Sequence, residues 1–147
     1  MFTARVDAKG RFKLPSAFQK FFESKGVKNF YITSRDEKTV YIAPLELWKE
    51  FEEILNKPAT EELAEAFEAM RFKVSYYGGD GVIDGEGRLS LSQELRKKFG
   101  LVDSPVWMQF NKGAIQMFNE AEFRAREAES NADKLAKAQK SLALLGF

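Results

Sequence analysis

The chain has 147 residues, 23 Lys and Arg against 22 Asp and Glu, a formal net charge of +1, and neither cysteine nor histidine. This composition excludes disulfide frameworks, zinc-finger clusters, thiol nucleophiles and histidine-based triads, so catalysis would have to run on carboxylates, Lys, Tyr or Ser alone, and a non-enzymatic protein is expected. A hydrophobic content of 44% with 14 Phe suffices for a buried core in one domain or two small ones, while the absence of an apolar leader and of any run near ~20 apolar residues points to a cytoplasmic protein with no membrane partner.

In chain order, residues 2–14 alternate. Phe2, Ala4, Val6, Phe12 and Leu14 are apolar, and Arg5, Asp7, Lys9, Arg11 and Lys13 are charged, the period of two strands joined by a tight turn. The turn is Asp7-Ala8-Lys9-Gly10: Asp at its first position can accept from backbone N–H groups, and Gly at its fourth tolerates positive φ. Phe18, Phe21 and Phe22 then predict a short helix ended by Gly26, and Phe30-Tyr31-Ile32 and Val40-Tyr41-Ile42 predict a hairpin about residues 34–38. Leu47, Trp48, Phe51, Ile54 and Leu55 form the apolar stripe of a helix opened by Pro44. After the break Asn56-Lys57-Pro58, Thr60 with Leu63, Ala66, Phe67 and Met70 predicts a second helix. Both helices are expected to serve packing alone.

The pattern then begins again. Ile83-Asp84-Gly85-Glu86-Gly87-Arg88-Leu89-Ser90-Leu91 matches Val6-Asp7-Ala8-Lys9-Gly10-Arg11-Phe12-Lys13-Leu14 at an offset of 77 residues. Leu95 and Phe99 before Gly100 answer the first short helix. Val106-Trp107-Met108 and Ile115-Gln116-Met117, about Asn111-Lys112-Gly113, answer the first hairpin, and Phe123 answers Trp48. One such unit is too small to bury its own core, whereas two can share one. The expected organisation is a first repeat at 1–47, linking helices at 48–73, a second repeat at 74–121 and a C-terminal helix at 122–147. That helix opens with the capping box Asn119 to Glu122 and carries a weak heptad of Ala121, Ala125, Ala128, Ala132, Leu135 and Leu142, interrupted by Gln139. It would pack on its own domain or at a subunit contact, and the apolar tail 142–147 would prefer cover.

Two roles are open to the charged turn residues. Asp7 with Arg11, and Asp84 with Arg88, can act as structural staples. Alternatively, if the turn preserves strand parity, Arg5, Lys9, Arg11 and Lys13 share one face with the single anion Asp7, a footprint suited to a phosphate backbone. Solvated edge strands carry similar charge to prevent aggregation. The corresponding face of the second copy holds Asp84, Glu86 and Arg88 and is net acidic, so the first copy is expected to do most of any electrostatic binding. The acidic spacing about residue 84 does not fit an EF-hand, nor the glycine spacing a P-loop, and an Arg four residues after each Asp argues against a shared-proton protease dyad.

The duplicated Asp-x-x-Gly-Arg, its first copy continuing as Phe12-Lys13-Leu14-Pro15-Ser16-Ala17-Phe18, with Pro44-Leu45-Glu46-Leu47-Trp48 after the first hairpin, resembles the MraZ family of bacterial transcriptional regulators over residues 1–123. The resemblance implies a mainly β fold with α: tandem SpoVT-AbrB domains forming one pseudo-symmetric, swapped-hairpin AbrB-like β-barrel with flanking helices, assembled into a ring-shaped homo-oligomer. It further implies a nucleoid-associated repressor that binds short direct repeats in double-stranded DNA upstream of the division and cell-wall gene cluster, with Asp7, Arg11, Asp84 and Arg88 facing DNA. Arg5, Lys9 and Lys13 join that set from the charge pattern. The second repeat departs from the family at Ser92, where proline is usual, and at Glu86, where a basic or amide residue is common. Related swapped-hairpin domains also serve as antitoxins, which gives the alternative of an interaction module that binds DNA and a partner protein.

Overall fold

The computed structural model describes residues 1–147. Its first half runs β1 (Phe2–Val6), β2 (Arg11–Lys13), α1 (Ser16–Ser24), β3 (Asn29–Thr33), β4 (Val40–Pro44), α2 (Leu45–Leu55) and α3 (Glu61–Tyr77). The second runs β5 (Gly79–Val82), β6 (Arg88–Ser90), α4 (Gln93–Phe99), β7 (Ser104–Asn111), β8 (Ala114–Phe118), α5 (Glu120–Glu129) and α6 (Ala132–Ala143). Every element of the first half has its counterpart, in the same order, in the second.

The strands are exchanged between the halves. A six-stranded antiparallel sheet has the order β1-β7-β8-β4-β3-β5, so β1 of the first half pairs with β7 of the second, and β5 of the second with β3 of the first. The remaining strands, β2 and β6, pair only with each other, Phe12 facing Leu89. Those two residues are themselves 77 positions apart, so the pseudo-two-fold axis relating the repeats passes between them. Alternation puts Phe12, Leu14, Leu89 and Leu91 into the same core as Val6, Phe30, Ile32, Ile42, Val106, Met108, Ile115 and Met117, and the short ribbon thereby closes over the inner face of the curled sheet. Neither repeat owns a complete core, and burial of this shared apolar surface holds the halves together.

The helices begin where the local chemistry places them. Thr60, Ser92 and Asn119 accept from the N–H groups of Leu63, Leu95 and Glu122, as N-caps do. Only half of the expected capping box is made: Asn119 accepts from Glu122 N, but the Glu122 carboxylate turns to Arg126 at 3.0 Å instead of reaching back. On the outer sheet face, α2 and α3 cover a second, smaller core of Tyr41, Ala43, Trp48, Val74 and Ala114. The linking helices extend beyond 48–73, to Leu45 and Tyr77, because Pro44 opens the first and no breaker precedes Gly78 in the second.

The C-terminal segment departs further from expectation. It is two helices rather than one over 122–147, broken at Ser130 with Asn131 capping the second through Lys134 N. Neither α5 nor α6 contains a buried residue, and α6 comes up against its own domain only at Lys134 and Leu135. No helix is long and apolar enough to cross a membrane.

Candidate nucleic-acid interface

The β2–β6 ribbon is three residues deep on each strand, and its middle residues, Phe12 and Leu89, are each 1% exposed. The flanking side chains must therefore face the opposite way. Arg11 stands across from Ser90, and Lys13 across from Arg88. Leu14 N donates to Gly87 O and Leu91 N to Gly10 O, each at 2.9 Å, which makes Lys13–Arg88 and Arg11–Ser90 the non-hydrogen-bonded pairs, where opposed side chains approach most closely. Like charges directly opposed in a sheet destabilise it. The ribbon thus carries Arg11, Lys13 and Arg88 together on its outward face.

The turns that lead into the ribbon share one construction. Asp7 Oδ1 accepts from Lys9 N at 2.9 Å and Arg11 N at 2.8 Å, and its Oδ2 accepts from Arg11 Nε at 2.9 Å. Asp84 does the same with Glu86 N, Arg88 N and Arg88 Nε, each at 2.9 Å. The Arg11 backbone N–H, then its guanidinium and the Lys9 N–H, hold the Asp7 carboxyl below its ordinary range; Arg88 and Glu86 do so for Asp84. Gly10 and Gly87 sit at φ +79° and +75°, a region that disfavours any Cβ. Both Asp side chains thus act as staples, their oxygens occupied within the turn. What they supply outward is orientation: each Asp fixes the Nε edge of its Arg, leaving the terminal amino groups to point away. In Arg88 these groups are partly engaged, since Nη1 lies 3.5 Å from Glu86 Oε2; Arg11 has no second acidic neighbour.

Of the other cations named from sequence, Lys9 is exposed at the tip of the first turn and Lys13 on the ribbon. Arg5 is separated from them. It lies on β1 within the six-stranded sheet, and its Nη2 donates to Asp103 O at 2.5 Å. The alternation rule treated 2–14 as one continuous strand pair, but the chain passes from one sheet to another at the turn, so Arg5 belongs to a different sheet from Arg11 and Lys13. Exchange has the opposite effect on Arg88, which moves from a separate acidic hairpin onto the ribbon beside Lys13.

Two residues of the site went unnoticed in the sequence. Arg96 of α4 lies across Gly10, so closely that a methyl group there would stand 2.6 Å from its Nε, and that Nε is buried without an acceptor. Its counterpart 77 positions earlier, Gln19 of α1, lies in the same way against Gly87 and donates to Leu14 O at 2.5 Å. The first turn is therefore backed by a cation and the second by a neutral amide. The repeat offset applied to the helices, and not to the hairpins alone, would have exposed this difference.

The chain is 32% identical over 144 residues to the transcriptional regulator MraZ of Koribacter versatilis, a match spanning 97% of this chain and 95% of that protein. It is 33% identical over 131 residues to the MraZ regulator of Deinococcus radiodurans, spanning 87% and 85%. Against the MraZ regulator of Acidobacterium capsulatum it is 37% identical over 98 residues, 63% of this chain and 62% of that protein. No protein-family model matches it.

Proposed function

The chain belongs to the MraZ family of transcriptional regulators, and on that premise we propose that it regulates transcription by binding double-stranded DNA through the β2–β6 ribbon and its two stapled turns. The observation that carries this is the outward pairing of Lys13 with Arg88 beside Arg11, on a ribbon of the width that enters a major groove. Arg11 is the base-reading residue: its Nε is fixed by Asp7 and its terminal amino groups can bond bidentately to guanine. Lys9 and Lys13 bind phosphate, as does Arg88 under the restraint of Asp84 and Glu86, with Arg5 at the margin of the footprint. Asp7 and Asp84 are positioning residues and touch no base.

One ribbon of this size reads few base pairs. Several ribbons held at fixed spacing in a ring of identical chains would gain avidity on direct repeats, and this supports action as a nucleoid-associated repressor at repeats upstream of the division and cell-wall genes. The mechanism requires no cofactor, catalytic group or small-molecule substrate. It is tested by fluorescence anisotropy on genomic fragments selected for binding. Arg11→Ala is expected to weaken binding about 10- to 100-fold, the worth of one bidentate base contact, and Arg88→Ala severalfold less. Equal losses would remove the asymmetry between the turns, and unchanged binding by both would remove the ribbon from the interface.

A further inference from the structure

The pseudo-two-fold axis identifies a surface that is covered in one half of the molecule and open in the other. In the first half, α3 folds back over the outer sheet face. Val74 is buried there, and its carbonyl O accepts from Tyr31 OH at 3.1 Å and from Thr33 Oγ1 at 2.7 Å. The register places Trp107 and Gln109 of β7 where β3 has Tyr31 and Thr33: Tyr31 lies between Ala43 and Asp80, and Trp107 between Phe118 and Thr3. Here α5 alone covers the sheet, Phe123 stacking on Trp107 at 4.5 Å, and α6 reaches the seat only with its first turn, through Lys134 and Leu135. Gln109 turns to Gln116 at 2.9 Å, and a cavity of about 580 Å³ opens, lined by Met1, Gln109, Phe118, Phe123 and Leu135 among others.

The element that corresponds to α3 is α6. It leaves the domain with Leu135, Leu142, Leu144, Leu145 and Phe147 all exposed, Phe147 by 91%. Five residues, 56–60, let α3 turn back across its sheet, but only 130–131 connect α5 to α6. The chain thus carries an apolar helix end and tail without cover, and a seat that its own α6 meets only through Lys134 and Leu135. Their charges also match. The α6 helix presents Lys134, Lys137 and Lys140 against one acid, Asp133, whereas α5, which borders the seat, has Glu120, Glu122, Glu127 and Glu129 against Arg124 and Arg126.

We infer that α6 and the tail 144–147 of one chain occupy the β7–α5 seat of a second copy, standing there as α3 stands on its own sheet. This rests on the reading that the chain assembles with copies of itself, and it supplies that assembly with its contact. Two full-length variants test it. Leu142→Asp with Leu145→Asp blocks the tail, and Gln109→Arg with Glu127→Lys blocks the seat; none of these residues is buried, so circular dichroism should show both variants folded. Light scattering on sized fractions is expected to give a multiple of 16.8 kDa for the unmodified chain and a single chain for each variant alone. Mixed in equal amounts, the variants should form a two-chain complex, since one keeps an intact seat and the other an intact tail. If the unmodified chain assembles and the variants still do so alone, or if the mixture stays monomeric, the inference falls while self-assembly stands. If the unmodified chain is itself monomeric, self-assembly and the inference fall together, and loss of thermal stability in the tail variant would then place α6 on its own sheet.

Discussion

Leu89→Ala probes the joint on which both the fold and the candidate interface depend. Leu89 is 1% exposed and sits opposite Phe12, with the ribbon's outward cations on the residues either side. Truncating a buried Leu removes its transfer free energy and leaves a cavity, together about 2–5 kcal/mol; for a site in the middle of a shared core, about 3 kcal/mol is expected. In a chain of this length that corresponds to a fall in Tm of about 6–12 °C. The informative assay is a double-mutant cycle with Phe12→Leu, a partial large-to-small truncation expected to cost about 1–2 kcal/mol, measured by urea unfolding. In the exchanged fold the cavity adjoins residue 12, and the two substitutions should couple by at least about 0.5 kcal/mol. If each hairpin closed on itself, β2 would pair with β1 and β6 with β5, and the effects would add. Additivity, or a loss below about 1 kcal/mol for Leu89→Ala, would refute strand exchange about the Phe12–Leu89 axis.

Gly10→Ala should destabilise by about 1–2 kcal/mol from the positive φ alone and by more through displacement of Arg96; Gly85→Ala, where nothing lies within 4 Å and no positive φ is imposed, should change stability little, and equal effects in thermal melts would contradict the turn geometry. At alkaline pH, the hydrogen bond to Glu37, then burial, pushes Tyr77 up to about 12. A raised folded pKa contributes stability that is complete below the ordinary tyrosine value near 10 and lost as pH rises through about 12, so stability should decline across that window in the unmodified chain and less in Tyr77→Phe. At the acid end, Asp7 and Asp84, held down chiefly by the N–H groups of Arg11 and Arg88, and Glu37, held down chiefly by Tyr77, contribute stability that is present above their ordinary values and lost as pH falls below about 4. Asp7→Asn with Asp84→Asn should flatten that loss, as read by denaturation midpoints between pH 2 and 6.

The sequence carried the elements and their duplication more fully than their connections. Alternation at 2–14, the glycines that end the turns and short helices, and the caps at Thr60 and Asn119 are local signals, and the structure has each where the local chemistry puts it. Which strand pairs with which is a different kind of information. Asp7, Gly10 and the parity of Phe12 look the same whether β2 returns along β1 or crosses to β6, and only the resemblance to a family implied the exchange. That ambiguity carried into the site, since assigning charges to separate hairpins kept Arg5 with Arg11 and kept Arg88 apart from Lys13. The approach of Arg96 to Gly10 is a contact between distant segments with no local trace. The break at Ser130 was legible, because Asn131 is a good N-cap, but the alanine heptad running through it masked the boundary.

The most direct measurement for the DNA interface is the salt dependence of binding, compared between the unmodified chain and one carrying Arg11→Ala, Lys13→Ala and Arg88→Ala together. Each lost phosphate contact lowers the slope of log K against log salt by about 0.9. With Lys13 and Arg88 as phosphate contacts and Arg11 as a base contact, the slope should fall by about 2 per ribbon engaged, with affinity reduced toward the nonspecific level. The same affinity and slope in the substituted chain, with its fold intact, would contradict the placement of DNA on the β2–β6 ribbon.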